Sequence, residues 1–364
     1  MNFGVITAQS DFSRIPVGRD TVHRITIYGT DNLYPQRMQN IMLLSPITKS
    51  AVNLRSSFIR GNGFENGDLI INRFNETAND ILRRISFDKS MFDGFGLHLN
   101  SNALNVVKEV QHVEFPFIRL GLANQNGQIK NVMVSNNWEQ SNHVLPTSDL
   151  NTVKYQIFDH EQNGREALTT ARGMLLYNTP TKNKYPLATN DAIAETCVAD
   201  HELAVFELSN IVNGFLSMSV FKYPTSGNTE EEEEELRKKL NQLRGARNSN
   251  SVIVAGIDED YEGSGNLVEQ IPANNNDSLF INTTLNVKNR IIQNYNVPNS
   301  IMGMLPNGAL FTAQQIADDF TFMNLMTQDT RNEIERVFDQ LGLDVGRIIP
   351  RQFESSLMAN NNGT

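Results

Sequence analysis

A single cysteine, Cys197, occurs in 364 residues. One thiol cannot build a disulfide framework or a thiolate metal cluster within the chain, and such usage fits a reducing compartment. Basic residues are also in short supply. Lys and Arg number 31 against 41 Asp and Glu, which gives a formal net charge of -10. That balance argues against avid non-specific DNA binding, which rests on neutralising phosphates. It does not argue against a surface that DNA must slide past without sticking. No apolar run is long enough to span a bilayer. The opening MNFGVITAQSDFSRI lacks a basic region followed by an apolar core, so no signal peptide is expected. The chain also lacks G-x-x-x-x-G-K-[ST], H-E-x-x-H and G-x-S-x-G, so no phosphate loop, zinc helix or nucleophile elbow is expected. These absences predict no enzyme activity, no catalytic or metal residues and no cofactor.

What is present is a globular composition, 39% hydrophobic and 20% charged, on a chain long enough for one large core or two to three modules. Residues 1–30 show no regular pattern. Pro35 suits a first helical turn, and Met38, Ile41, Met42 and Leu44 supply its apolar stripe. Ser45 and Pro46 restart a second helix as N-cap and first-turn proline, and Gly61 to Gly63 ends it. Ile81, Leu82, Ile85 and Met91 share a face of a helix over 77–93. From Phe95 to Tyr177 the pattern turns β-rich. Strands are predicted at Val106–Phe115, Ile118–Leu122, Ile129–Val134, Val153–Phe158 and Met174–Tyr177, with a turn at Asn126–Gly127. Trp138 inside this block reads as a half-buried packing residue.

Helix returns over 189–213, with Ile193, Cys197, Ala204, Leu208 and Ile211 on one face. A compact unit follows: strand FLSMSVFKY, a helix capped by Thr229 with Glu232 closing the capping box, and strand SVIVAGI over 251–257. Such a module is small for a self-sufficient core and needs neighbours. A polar spacer from Pro272 to Asp277 leads to a helix from Leu279 to Tyr295, lined by Phe280, Val287, Ile291 and Tyr295. The last long helix starts at a capping box of Thr312 and Gln315 and carries Ile316, Phe320, Met323, Thr327, Ile334 and Phe338 to Gly342. The tail ANNNGT has a disordered composition.

Two acid–histidine clusters, Asp159-His160-Glu161 and Asp200-His201-Glu202, are poor metal sites, because adjacent helical residues point in different directions. Ser264 in EGSGN reads as a loop serine. The acidic run Glu230–Glu235, followed by Arg237, Lys238 and Lys239, complements a helix dipole and keeps a face solvated; docking of a basic partner is compatible with that. Between the last two helices lies NVPNSIMGMLPNGALFTAQQI, residues 296–316. It is apolar, yet Pro298, Gly303, Pro306 and Gly308 forbid a continuous helix. Connections of this kind are normally short and polar.

Taken in order, these pieces resemble the portal (head–tail connector) proteins of tailed double-stranded DNA phages, in the broad HK97-like group. The likeness runs from about Asn32 to Leu341. It rests on NLYP with its helix pair and FIRGNGF, and on FDGFGLHLN, where a helix turns into the first wing strand. It rests further on NKYPLATNDAI with the helix after it, on NGF–strand–Thr-Glu-Glu helix–VIVAGI, and on YNVPNSIMGM followed by ALFTAQQIADDFTF. The resemblance implies an α+β portal fold: an N-terminal arm (1–27), a wing (28–189), stem helices (190–213 and 278–295), a small α/β clip (214–277), a tunnel loop (296–311), a long helix (312–342) and a C-terminal tail (343–364). Family members often continue past the long helix into a helical crown; the resemblance implies that it is reduced or absent here, or that the chain is truncated.

It further implies a homo-oligomeric ring, typically dodecameric, at a capsid vertex of the virion, assembled in the host cytoplasm without a membrane. Double-stranded DNA would pass through it during packaging and ejection. The terminase large subunit and capsid, scaffold and head-completion or adaptor proteins would be partners. Asn299, Ile301, Met302, Met304, Leu305, Asn307 and Leu310 would line the channel. Lys288 and Arg290 would touch phosphate weakly or pair with a neighbour's acids. Glu230, Glu231, Glu233 and Glu234 would face a docking partner. The rival readings are another structural virion protein and an enzyme with a mobile apolar lid.

Overall fold

The computed structural model describes residues 19–20, 24–102, 104, 106–125, 128–138, 152–158, 173–180, 184–212, 218–224, 251–257, 268–271, 277–303 and 311–353. The chain divides into two compact units, one of residues 1–198 with 289–364 and one of residues 199–288. In the first unit β1 (Arg19–Asp20) pairs with β2 (Ile25–Thr26). Ile25 bridges to Gly121, so part of the expected irregular arm is held to the body; two-residue strands are too short to leave a periodic signal.

Helices α1 (Tyr34–Leu44) and α2 (Pro46–Arg60) meet at Ser45, whose Oγ accepts the Thr48 amide at 3.1 Å. Tyr34, Met38, Ile41 and Met42 form the buried stripe of α1, whereas Leu44 ends it exposed. Helix α3 (Ala78–Phe92) starts at a reciprocal capping box between Thr77 and Asp80. It leads into β3 (Phe95–Ser101), β4 (Val107–Val113), β5 (Ile118–Leu120), β6 (Asn131–Val134), β7 (Val153–Ile157) and β8 (Met174–Asn178).

These six strands form one sheet in the order β4-β3-β8-β7-β6-β5, antiparallel except for the parallel pair β7–β8. Phe95, Leu97 and Leu99 of β3 point into the main core, as the two-residue strand period requires. There they meet Ile81, Leu82 and Ile85 of α3. The opposite side of that core comes from Ile334, Val337 and Phe338, on the last helix.

Helix α4 (Ala194–Val212) leaves this unit, and α5 (Asp277–Asn294) returns to it. Between them, β9 (Met218–Pro224) lies parallel to β10 (Ser251–Ile257) and antiparallel to β11 (Val268–Ile271). A parallel pair needs a crossover, and residues 225–250 connect it. The capping box at Thr229, the acidic run, Asp159-His160-Glu161, Asn126–Gly127, Ser264 and the tail beyond Phe353 lie outside the described residues. Strand β11 carried no sequence signal of its own.

The last helix, α6 (Ala313–Gln340), is followed by a segment that returns to the core. The Asn62 amide donates to the Ile349 carbonyl at 2.8 Å, the Ile349 amide to Gly63 at 2.9 Å, and the Glu65 amide to Arg347 at 3.0 Å. A Cβ on Gly61 would stand 2.1 Å from the Ile349 oxygen. Gly61 therefore does more than stop α2, since the return segment can approach only where no side chain exists.

Arg119 on β5 is fully buried, and among the described residues its hydrogen bonds all go to neutral acceptors. Its Nε donates to Asn32 Oδ1 at 2.8 Å, and its terminal nitrogens donate to the carbonyls of Asn32, Pro116 and Ile118 and to Gln36 Oε1. The guanidinium carbon also stands 5.5 Å from the Tyr28 ring and 5.0 Å from the Trp138 ring. Trp138 is thus wholly buried, not half-buried, and its indole N–H donates to the Phe117 carbonyl at 2.9 Å. Burial pushes the Arg119 guanidinium down to about 10, so it stays charged at neutral pH.

Arg119→Met should strand several buried acceptors and lower stability by roughly 3 kcal/mol. Arg119→Lys should recover less than half of that loss, because an ammonium cannot fill a planar five-donor cage. Urea midpoints of the three proteins measure both effects.

Candidate functional site

The broken apolar loop begins where α5 ends. Tyr295 and Val297 are buried, and Asn296 between them takes a left-handed conformation, φ 53°. The Val297 amide donates back to the Ile292 carbonyl at 3.2 Å, which closes the helix end. The Pro298 carbonyl then accepts the amides of Ile301 and Met302, both at 3.2 Å, in one tight turn. Gly303 follows at φ 70°, a left-handed conformation that glycine adopts without steric cost.

Ser300 Oγ donates to Asp319 Oδ2 on α6, so the loop is tied across to the helix after it. Asn299 is exposed, while Ile301 and Met302 are half-buried. Met304, Leu305, Asn307 and Leu310 lie outside the described residues. At the far end Thr312 Oγ1 accepts the Gln315 amide at 3.1 Å; among the described residues only this arm of the expected capping box forms.

The bases of α4 and α5 are fastened in the first unit. Cys197, fully buried, accepts the Thr48 hydroxyl at 3.1 Å on its Sγ. Asn294 Nδ2 donates to the Thr189 carbonyl at 2.8 Å, and the Thr189 amide donates to Met91 at 2.8 Å. Beyond the bases the pattern changes. Ala204 and Leu208, expected on the apolar face of α4, are exposed, Leu208 by 59%. Val205, Phe206, Ile281 and Leu285 are exposed as well.

Lys288 is half-buried and Arg290 exposed, and among the described residues neither has a carboxylate within ion-pair distance. Glu230, Glu231, Glu233 and Glu234 lie outside the described residues. Asp200 is buried, His201 half-buried and Glu202 exposed, so the three do not converge. Among the described residues no group of His, Cys, Asp and Glu is arranged to hold a metal, and no helix is long and apolar enough to cross a membrane.

No protein-family model matches the sequence. No curated protein matches it either. Solved structures do. A chain of the neck of the native gene transfer agent particle, computed with C12 symmetry, superposes with a TM-score of 0.54 at 12% identity, covering 90% of this chain and 87% of that one. A chain of the native gene transfer agent virion gives 0.52 at 12% identity, over 89% and 86%. An HK97 family phage portal protein from Corynebacterium diphtheriae gives 0.46 at 11% identity, over 84% and 90%.

The first two carry the assignment, and at such identities it is one of fold. The chain is α+β and shares the fold of a particle-neck component across most of its length. The resemblance to portal proteins read from its motifs is borne out at that level.

Ser300→Ala should free the first half of the loop. Amide exchange at Ile301, Met302 and Gly303 is expected to quicken severalfold, with a global stability loss of about 1 kcal/mol. Hydrogen-exchange mass spectrometry and a urea melt read the two separately.

Proposed function

We propose that this chain is the portal subunit of a DNA-containing particle, a structural protein and not an enzyme. Its copies close into a ring around a channel for double-stranded DNA at a capsid vertex. The observation that carries this reading is the shared fold with a neck chain from a particle resolved in C12 symmetry. A closed ring needs a head-to-tail contact between two different patches on each copy. The exposed apolar side chains of α4 and α5 are candidates for such a contact.

In this reading residues 28–189 form the wing, 190–213 and 278–295 the stem, 214–277 the clip, 296–311 the tunnel loop and 312–342 the long helix. The clip, with Glu230, Glu231, Glu233 and Glu234, meets the terminase large subunit and later the head-completion proteins. The wing side faces capsid and scaffold. Asn299, Ile301, Met302, Met304, Leu305, Asn307 and Leu310 line the channel, where uncharged groups let phosphates pass. Lys288 and Arg290 supply weak, transient phosphate contacts. Such contacts must stay few, because each adds salt-dependent affinity to a strand that has to move.

Negative-stain microscopy of the purified chain should show rings with a central hole; a monomer with turnover on a small substrate would overturn the proposal. Deleting Asn299–Gly308 should leave rings intact and impair DNA retention or packaging, and loss of folding in that deletion would count against a channel loop. Leu208→Asp with Ile281→Asp should convert rings to smaller species by light scattering with an unchanged far-UV spectrum. Rings that survive both charges place the subunit contact elsewhere.

A further inference from the structure

On the first unit a groove of about 630 Å³ opens between α2, α3 and the segment that joins β4 to β5. Its floor is firm. Phe92 and Pro116 are buried, and Asp88 is locked inward by His112 Nε2 at 2.8 Å and by the Phe115 amide at 3.2 Å. Its rim carries Arg60, Arg83 and Arg84, with the side-chain amides of Gln39 and Asn53.

Of the rim arginines Arg84 is already paired, with Glu76 at 2.5 Å, as Arg73 is with Glu109 at 2.6 Å and Arg347 with Glu335 at 3.2 Å away from the groove. Arg60 and Arg83 are not, and neither is Arg351, which stands within electrostatic reach of Arg60. Burial pushes the Arg60 guanidinium down, and the charges of Arg351 and Arg83 push it further. Arg351 Nε is buried without a hydrogen-bond partner among the described residues. Asp80, which feels the charges of Arg84 and Arg83, is committed to capping Thr77.

Three cations therefore converge beside a recess in a protein of net charge -10. Attraction to the C-terminal end of α2 favours one such cation, and that place is already taken by Arg331, which donates to the Phe58 carbonyl at 3.0 Å. Among the described residues no carboxylate pairs with Arg60, Arg83 or Arg351.

We infer that this groove is a docking site for an acidic peptide segment of a partner protein. The arginines would receive its carboxylates in bidentate pairs, and Gln39 and Asn53 would bond its backbone. Among the described residues neither amide has another partner. A peptide fits better than nucleic acid. The recess is about 630 Å³ and admits a peptide segment, whereas a duplex carries its phosphates on a wide convex surface that cannot enter it; Asp88 is already committed to His112 and the Phe115 amide. The inference does not depend on ring formation.

The test uses the full-length protein and a fluorescein-labelled hexaglutamate peptide read by anisotropy, with hexalysine and a short DNA duplex as comparison probes. Hexaglutamate should bind, hexalysine should not, and salt should weaken the binding. Arg60→Glu with Arg83→Glu should weaken it at least about tenfold, while Arg60→Lys with Arg83→Lys should retain most of it. Arg83→Glu alone, at an exposed position, should still weaken it at least about threefold, which keeps the test valid if the double variant unfolds. No binding by the wild type, or equal binding by the glutamate variants, overturns the proposal. Stronger binding of the duplex through the same arginines assigns the groove to nucleic acid and also overturns it. A rise in peptide affinity on deleting 354–364 gives the site to the chain's own tail and overturns a partner in trans; unchanged affinity supports the partner.

Discussion

A cation buried among carbonyls organises the first unit. Among the described residues no carboxylate bonds Arg119, so its charge is held by oriented dipoles and ring faces, and each must be in place at once. The Tyr28 ring that faces it stacks on Tyr185 at 3.9 Å and on Tyr34 at 5.2 Å. Those phenols are spent on fixing backbone. Tyr28 donates to the Pro186 carbonyl and Tyr185 to the Thr26 carbonyl, both at 2.6 Å, and Tyr34 donates to Asp191 at 2.7 Å. Segment 185–191 is thereby pinned immediately before α4. The same segment offers the Thr189 carbonyl to Asn294 at the end of α5. The Arg119 cage thus fixes where one helix leaves the unit and where the other returns, and the loop after α5 inherits its starting point from that junction.

A second constraint acts on α6. Its C-terminal half carries Ile334, Val337 and Phe338 into the main core, while Phe322, Leu325 and Met326 nearer its start are exposed. Lys89, buried in α3, holds Glu333 at 2.8 Å, and Arg331 spans from the Phe58 carbonyl to the Asn324 carbonyl. Lost solvation of such groups is costly, and their partners are specific, so they set the register of α6 against α2 and α3 more sharply than interchangeable aliphatic contacts do. A register fixed in this way passes through Asp319 to Ser300, which places the loop on both of its sides.

Much of this was legible in the sequence, for identifiable reasons. Ser45-Pro46 announces a helix start through local chemistry, and that cap forms as read; the capping box of Thr77 and Asp80 went unread, although its residues stand three apart as such a box requires. The strands from β4 to β8 showed in their apolar patterning. Strand β3, the inner strand between β4 and β8, was reached only through FDGFGLHLN and its resemblance, because Gly96 and His98 interrupt the β-branched pattern that marks a strand. Strand β11 and the return segment 343–353 were missed. Each depends on pairing with chain distant in sequence, which leaves no periodicity of its own. The Arg119 cage was invisible for the same reason, and Gly61 was read as a stop when it is also a point of close approach. The arginine groove went unnoticed because Arg60, Arg83 and Arg351 come from three separate places along the chain.

The apolar faces of α4 follow a different logic. Periodicity placed Ala204 and Leu208 on a face shared with Cys197, and the spacing was sound; Cys197 is fully buried and Leu208 is not. Sequence patterning reports which side chains seek cover, not which chain supplies it. Where an apolar face stays open in one chain, the missing cover must come from another molecule or the surface becomes a liability for aggregation. The loop that opens at Val297 obeys the same rule. From Tyr295 to Gly303 it carries no charged side chain, and its half-buried Ile301 and Met302 are covered only in part by their own chain. Neutrality makes such a loop a poor ligand for phosphates, and the Ser300–Asp319 bond ties its first half to α6.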